Sequence, residues 1–192
     1  LTVLEGWAVY GKMLEEVDIS ESAITRIEEY NFRISTSGSV NALETIRFPA
    51  GLTYIGYYAL NGFDCSDMVL PAGLLQYCAG TKGHLTLPES VTGINPDIFR
   101  EHTIITFLNK DKEIRSYNSD SNRYSALPTS ISKNCLIRCY KDSFIHKWCV
   151  ENNITYELID GDGTTLCVEL KAPDGTPILS ESIGAIRWFD RT

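Results

Sequence analysis

LETIRFPAGLTYIGYYAL, residues Leu43 to Leu60, carries apolar side chains at Leu43, Ile46 and Phe48, then Pro49. Leu52, Ile55 and the small–large pair Ala59-Leu60 follow. The second half is a frame: apolar, two spacers, apolar, three spacers, small–large. Leu1, Leu4 and Ala8-Val9 fit it, as do Ile24, Ile27 and Asn31-Phe32, with Asn in the small position. Val91, Ile94 and Ile98-Phe99 fit it again. Leu74 and Tyr77 open a copy that decays after Cys78. The copies start at 1, 24, 52, 74 and 91, so the chain is a repeat protein.

A second pattern precedes most copies. Val17-Asp18-Ile19, Ile46-Arg47-Phe48, Met68-Val69-Leu70, Leu85-Thr86-Leu87 and Ile105-Thr106-Phe107 alternate apolar, variable, apolar. Short strands with one buried face alternate in this way. Pro49, Pro71 and Pro88 close three of them, and proline suits a strand end because it has no N–H to donate. Ser20 stands there in the first unit. Residues 33–42, RISTSGSVNA, read as an inserted surface loop. One unit has about five core positions, each contributing roughly 1.5–3 kcal/mol on burial. Ordering its backbone costs roughly 1–2 kcal/mol for every residue, so single units cannot stand alone and must stack.

LETIRFPAGLTYIGYYAL and LTLPESVTGINPDIF resemble the BspA-like, treponemal-type class of bacterial leucine-rich repeats, over about residues 1 to 159. The resemblance implies a right-handed repeat solenoid, mainly β, with short parallel strands joined by short helical or irregular turns. The expected divisions are repeats over 1–134, with the first repeat truncated, a strand–helix–strand C-terminal cap over 135–160, and a β-hairpin tail or the start of a further module over 161–192.

The C-terminal half is read segment by segment. Residues 109–123, NKDKEIRSYNSDSNR, are either a loop or an eroded repeat. Leu136 to Tyr140 reads as a strand, and Asp142 or Ser143 as an N-cap. Phe144, Ile145, Trp148 and Cys149 share one helical face, Asn152-Asn153 ends the helix, and Ile154 to Ile159 returns as a strand. Such a unit covers the apolar face and the strand edge that a last repeat leaves open. Asp160 to Gly163 is a turn or linker. TTLCVEL and TPILSES flank a hairpin turn at Ala172 to Gly175, and Ala185 to Phe189 can add a third strand.

Seventeen basic against twenty-five acidic side chains give a net charge of −8, which disfavours nucleic acid and anionic membrane surfaces. No apolar run approaches the roughly 18–20 residues of a membrane span. Leu1 stands inside the pattern without an initiator Met or a charged leader, so the chain is expected to be a mature or trimmed fragment.

Catalytic and metal chemistry find little support. Cys135, Cys139, His146 and Cys149 offer three thiols and an imidazole, but their spacing matches no standard zinc knuckle. A Cys135–Cys139 or Cys139–Cys149 disulfide fits better, and buried thiols acting as small apolar side chains fit best. Asp160, Asp162 and Thr164 open like a calcium loop, but Lys171 stands where its bidentate Glu belongs. The three histidines fall in different units, and no G-x-S-x-G, H-E-x-x-H or P-loop is present. No cofactor and no metal are expected. Tyr54, Tyr57 and Tyr58 cluster in one repeat, as covering rings or as an interface.

The solvent face of the strand ladder remains. Its middle row is Asp18, Arg47, Val69, Thr86 and Thr106, and one step out lie Glu16, Thr45, Asp67, His84 and Ile104. Stacked strands align such side chains about 4.8 Å apart. Solenoids bind through extended concave faces of this kind, so Asp18, Arg47, Val69, His84, Thr86 and Thr106 are the candidate binding residues. The resemblance implies a non-enzymatic, secreted or cell-surface module that recognises a protein or glycan, as in adhesion to host or neighbouring cells. The alternatives are a structural spacer displaying other domains and the non-catalytic part of a secreted enzyme.

Overall fold

A computed structural model describes residues 1–9, 15–32, 45–60, 69–79 and 82–159, the Glu101 side chain excepted, with the backbone alone at 166–167, 170–171 and 177–179. Each repeat places two short strands in two separate parallel ladders. The first ladder orders Val3–Leu4, Arg26–Ile27, Tyr54–Ile55, Gln76–Tyr77, Gly93–Ile94 and Arg115–Asn118, all parallel, and ends on the antiparallel strand Arg123–Ser125. The second ladder is described in two stretches. Glu16–Asp18 pairs with Thr45–Arg47, and Gly83–Leu87, His102–Phe107, Leu136–Tyr140 and Tyr156–Ile159 run parallel in that order.

The repeated frame yields repeated hydrogen bonds. The Pro49, Pro71 and Pro88 carbonyls each accept from the N–H three residues on, at Leu52, Leu74 and Val91, all at 3.1 Å. Proline at the strand end thus opens the same turn in three units, and that turn delivers the first apolar residue of the next strand to the core. In the first unit Ser22 donates to Ile19 at 3.0 Å, one residue early, which accommodates the extra residue before Ile24. From rung to rung, Thr25 donates to Thr2, Thr53 to Thr25, Leu75 to Thr53, Thr92 to Leu75 and Arg115 to Thr92, at 2.8–2.9 Å.

The first ladder is the larger departure from the sequence reading. Its strands are mostly two residues long, too short to alternate, so only the buried Ile27, Ile55, Tyr77 and Ile94 mark them. In the second ladder four of the expected strands are present, shifted toward their N-terminal side. Of the fifth, only Val69 and Leu70 lie within the described residues, where they are not in a strand. Their alternation persists, with Val69 83% exposed and Leu70 buried, and Val69 lines a cleft with Phe48 and Pro71.

The segment 109–123 resolves in favour of an eroded repeat. Ile114 is buried, and Arg115 and Ser116 pair in register with Gly93 and Ile94. Its polar residues serve the turn: the Tyr117 hydroxyl donates to Asn122 at 2.9 Å, and Asn109 Nδ2 donates to the Val91 carbonyl at 3.0 Å.

The core runs between the two ladders, from Leu4 through Ile27, Ile55, Leu85, Ile105 and Ile137 to Leu158. Helix Phe144–Glu151 buries Ile145, Trp148 and Cys149, with Ser143 as N-cap accepting from the His146 N–H at 3.1 Å. Trp148 packs on Phe99, ring centroids 5.4 Å apart, and its indole N–H reaches the Pro128 carbonyl. Leu166–Cys167 pairs antiparallel with Tyr156–Ile159, and Leu170–Lys171 with Pro177–Leu179. The inserted loop 33–42, the turns at 160–163 and 172–175, the calcium-like Asp160, Asp162 and Thr164, the strand at 185–189, Asp67 and Cys65 lie outside the described residues.

One glycine is set by close approach of backbone. A Cβ on Gly56 would lie 2.8 Å from the Glu29 nitrogen and 2.9 Å from the Glu28 carbonyl carbon, whereas one on Gly51 would meet nothing. Neither neighbour is a movable side-chain tip. Gly56→Ala is therefore expected to lower stability by about 1–3 kcal/mol and Gly51→Ala to leave it within about 0.5 kcal/mol. Urea unfolding of the two variants checks this, and equal midpoints would refute the packing of these rungs.

Candidate functional site

The two ladders differ in what covers their outward faces. On the first, Tyr54, Cys78 and Tyr117 form a separate buried cluster. The Arg26 guanidinium lies 4.0 Å above the Tyr54 ring and pairs with Glu28 at 2.9 Å. Tyr124 leans over Gly93, where a Cβ would come within 3.0 Å of its ring, and its hydroxyl accepts from the Gln76 amide. Burial pushes the Cys78 thiol up to about 12, so it stays protonated and unreactive at neutral pH. This face is largely filled by the protein itself.

The second ladder presents its outward residues to solvent. Asp18 stands in register with Arg47, Thr86 with Thr106, and His84 with Ile104. Asp18, Arg47, Val69, His84 and Thr86 are exposed and Thr106 is half-buried. The row continues beyond the residues chosen from sequence. Arg138 is in register with Thr106, and Glu157 with Arg138. Both were legible, since Leu136 to Tyr140 alternates like the other strands, but assigning that strand to a cap removed it from the face. Among the described residues, register places Asp18 beside Arg47 in one strand pair, and His84, Thr86 and Thr106 in another.

Charges on this face are paired along the rungs. Arg47 Nη1 bonds the Glu16 carboxylate and lies 3.3 Å from Asp18 Oδ2. Arg138 Nε meets Glu157 at 2.9 Å. Asp18 also accepts from the Ser20 hydroxyl at 2.7 Å and from its N–H at 3.0 Å. These Ser20 bonds, and then Arg47, hold its carboxyl below the usual range, while Glu16 and then Asp18 raise Arg47. All three side chains are about half exposed, so their mutual attraction is screened and adds little to stability.

A cleft of about 550 Å³ opens between Thr45–Phe48 and Val69–Ala72. Phe48, Ala50, Val69 and Pro71 give it apolar walls, and Thr45 and Arg47 stand at its polar side. A second cleft, of about 330 Å³, lies by the terminal unit among Ser132, Lys133, Asn152 and Thr155.

Cys78, Cys135, Cys139 and Cys149 are buried free thiols, the reading that fits the sequence best, and neither the Cys135–Cys139 nor the Cys139–Cys149 bridge is formed. The Cys149 thiol is hydrogen-bonded to Cys139, and that contact, with burial, raises its pKa. His146 lies elsewhere: its Nδ1 accepts from the Asp142 N–H at 3.0 Å and its Nε2 lies 3.2 Å from the Tyr156 hydroxyl. Among the described residues no group of three His, Cys, Asp or Glu could hold a metal. Nor is any helix among them long and apolar enough to cross a membrane. The tyrosine cluster divides, with Tyr54 in the buried group and Tyr57 and Tyr58 against Tyr30.

Residues 2–125 match the family model of the BspA type leucine rich repeat region, in six copies. The match extends past the five copies read from sequence to the strand pair Arg115–Asn118 and Arg123–Ser125, and stops short of Leu136–Tyr140. No curated protein and no solved structure matches the chain.

Proposed function

Because the chain belongs to the BspA-type leucine-rich repeat family, we propose that it is a non-catalytic recognition module that binds a protein or glycan through the outward face of its second ladder. The repeats over 1–134 form a right-handed solenoid, 135–160 cap it, and 161–192 form a hairpin tail or open a further module. The family resemblance supports a place outside the cell or on its surface, with adhesion as the role.

The observation that carries this reading is the contrast between the two outward faces. Tyr54, Tyr117 and Tyr124 fill the first, while the second exposes Arg47, Val69, His84 and Thr86, with Arg47 and Val69 lining an apolar cleft. Val69 is a large exposed aliphatic at the edge of a concavity, the arrangement in which a partner's apolar anchor is desolvated.

Val69→Asp with Thr86→Arg tests it in the full chain, by surface plasmon resonance against purified host-surface glycoproteins and a glycan array. Both positions are exposed, so the melting temperature is expected to stay within a few degrees. At least one binder of the parent chain is expected to weaken tenfold or more, a loss of about 1.4 kcal/mol. Binders indifferent to the double substitution would remove the face from consideration. A spacer role also has a specific observation in its favour: Arg47 and Arg138 are already paired within the ladder. A parent chain that binds nothing on either panel would favour that role.

A further inference from the structure

A sequence motif and a turn coincide at the end of the helix Phe144–Glu151. Asn153-Ile154-Thr155 has the form N-x-[ST], the acceptor of asparagine-linked glycans. No other asparagine in the chain is followed two residues on by serine or threonine. The helix stop fixes how this one is displayed. The Asn153 N–H donates to the Val150 carbonyl at 3.3 Å, and the Ile154 N–H to the Cys149 carbonyl at 2.9 Å. This crossed pair of bonds ends a helix on a left-handed residue. Asn153 is that residue, with φ 54°. Asparagine adopts this backbone region more readily than most side chains.

Burial separates the anchor of the turn from the acceptor. Ile154 is buried in the core, whereas Asn153 and Thr155 are exposed. Among the described residues neither of these two side chains is engaged in a hydrogen bond. Asn152 is the opposite case: it is half-buried, and its Nδ2 donates to the Trp148 carbonyl at 2.8 Å. Thr129, Ser130 and Lys133 border the cleft of about 330 Å³ together with Asn153 and Thr155, so a sugar attached there meets polar groups. We propose that Asn153 Nδ2 is the attachment point of an N-linked glycan.

The transfer balances with one co-reactant, an oligosaccharide carried on a polyprenyl pyrophosphate. The Asn153 amide nitrogen attacks the anomeric carbon of the first sugar. The N–C bond forms, the bond from that carbon to the pyrophosphate oxygen breaks, and the lipid pyrophosphate leaves. The amide proton passes to the transferase, and nothing is oxidised or reduced. An exposed amide without a partner takes the glycan at no loss of packing, whereas a glycan on Asn152 would cost its bond to Trp148. Meeting such a transferase rests on the extracellular placement proposed above.

The full chain, expressed behind a leader peptide in cells that carry a membrane oligosaccharyltransferase, tests the acceptor by glycopeptide mass spectrometry. The leader supplies export, so a failure here bears on Asn153 and not on where the chain resides. Fractionation of its own cells tests that placement separately. The parent chain is expected to carry a single glycan, on Asn153. Asn153→Gln and Thr155→Ala are expected to abolish it, and Thr155→Ser and Asn152→Gln to retain it. Thr155→Ala carries the test if Asn153→Gln misfolds, since it leaves the left-handed residue in place. The glycosylated chain is expected to melt within a few degrees of the bare one. An exported, folded parent chain without sugar, or a glycan that survives in both Asn153→Gln and Thr155→Ala, would overturn the proposal.

Discussion

Ile55→Asp is expected to abolish cooperative folding of the repeats. Ile55 has no exposed surface and sits midway along the first ladder, between Ile27 and Tyr77. Its amide and carbonyl are committed to neighbouring rungs, so the backbone cannot carry a new side chain out to water. A carboxylate there either stays ionised without a partner or takes up a proton at large cost, and loses the aliphatic packing in both cases. The penalty is at least about 4 kcal/mol, against typical domain stabilities of about 5–15 kcal/mol. Loss of the cooperative urea transition, followed by circular dichroism, is the expected result. Retention of the parent midpoint would show that Ile55 is not a shared core layer. The damage should spread to both neighbouring units, because stability in such arrays resides in the interfaces between units.

Asn31→Ala should destabilise the chain by about 2–3 kcal/mol, although it installs the alanine that the repeat frame carries at the equivalent Ala8 and Ala59. Asn31 is fully buried. Its Oδ1 accepts from the Val9 N–H at 3.1 Å, and its Nδ2 is shared among the carbonyls of Leu4, Glu5 and Glu28 at 2.8–3.2 Å. One side chain therefore ties the first two units together. Alanine would leave the Val9 N–H and the Glu28 carbonyl short of partners in a dry site. Asn31→Asp keeps the acceptor for Val9 but turns a carboxylate toward three carbonyls, so it should lose more than Asn31→Ala. Denaturant midpoints give the order, and a stabilised Asn31→Ala would show that frame consensus outweighs this network.

Asn31 also shows how much of the fold was legible. The frame marks it as the small position of its copy, and burial follows from that, but the four bonds do not, because three of them reach into the preceding unit. Repetition made the core positions readable: Leu52, Ile55 and Leu60 each have equivalents elsewhere, and all are buried. The first ladder was not readable as strands, since two residues carry no period. Arg115–Asn118 was half readable, because Arg115 and Ser116 replace the aliphatic signal while their backbone keeps the register.

The candidate site divides in the same way. Strand alternation placed Asp18, Arg47, His84, Thr86 and Thr106 on the outward face, which follows from the period of two. Val69, exposed beside the buried Leu70, keeps the alternation read from sequence, and Met68 lies outside the described residues. Arg26, Tyr54, Tyr117 and Tyr124 come together from four separated rungs, so closure of the first ladder's outward face was not readable. Trp7 stacks on Tyr30 and Tyr30 on Tyr58, and the three share one frame position in their units. Clustering by neighbourhood in sequence grouped Tyr58 with Tyr54 instead.

Everything above depends on consecutive units stacking as hydrogen-bonded rungs, and amide hydrogen exchange in the intact chain reads that stacking directly. The amides of Glu28, Gly56, Cys78 and Asn95 each donate to a carbonyl of the preceding rung, at Leu4, Ile27, Ile55 and Tyr77, over 2.8–3.1 Å. All four are expected to exchange slowly in the parent chain, and to lose protection together in Ile55→Asp. Rapid exchange at Gly56 and Cys78 in the parent chain would contradict the stacked rungs, and with them the proposed binding face of the second ladder.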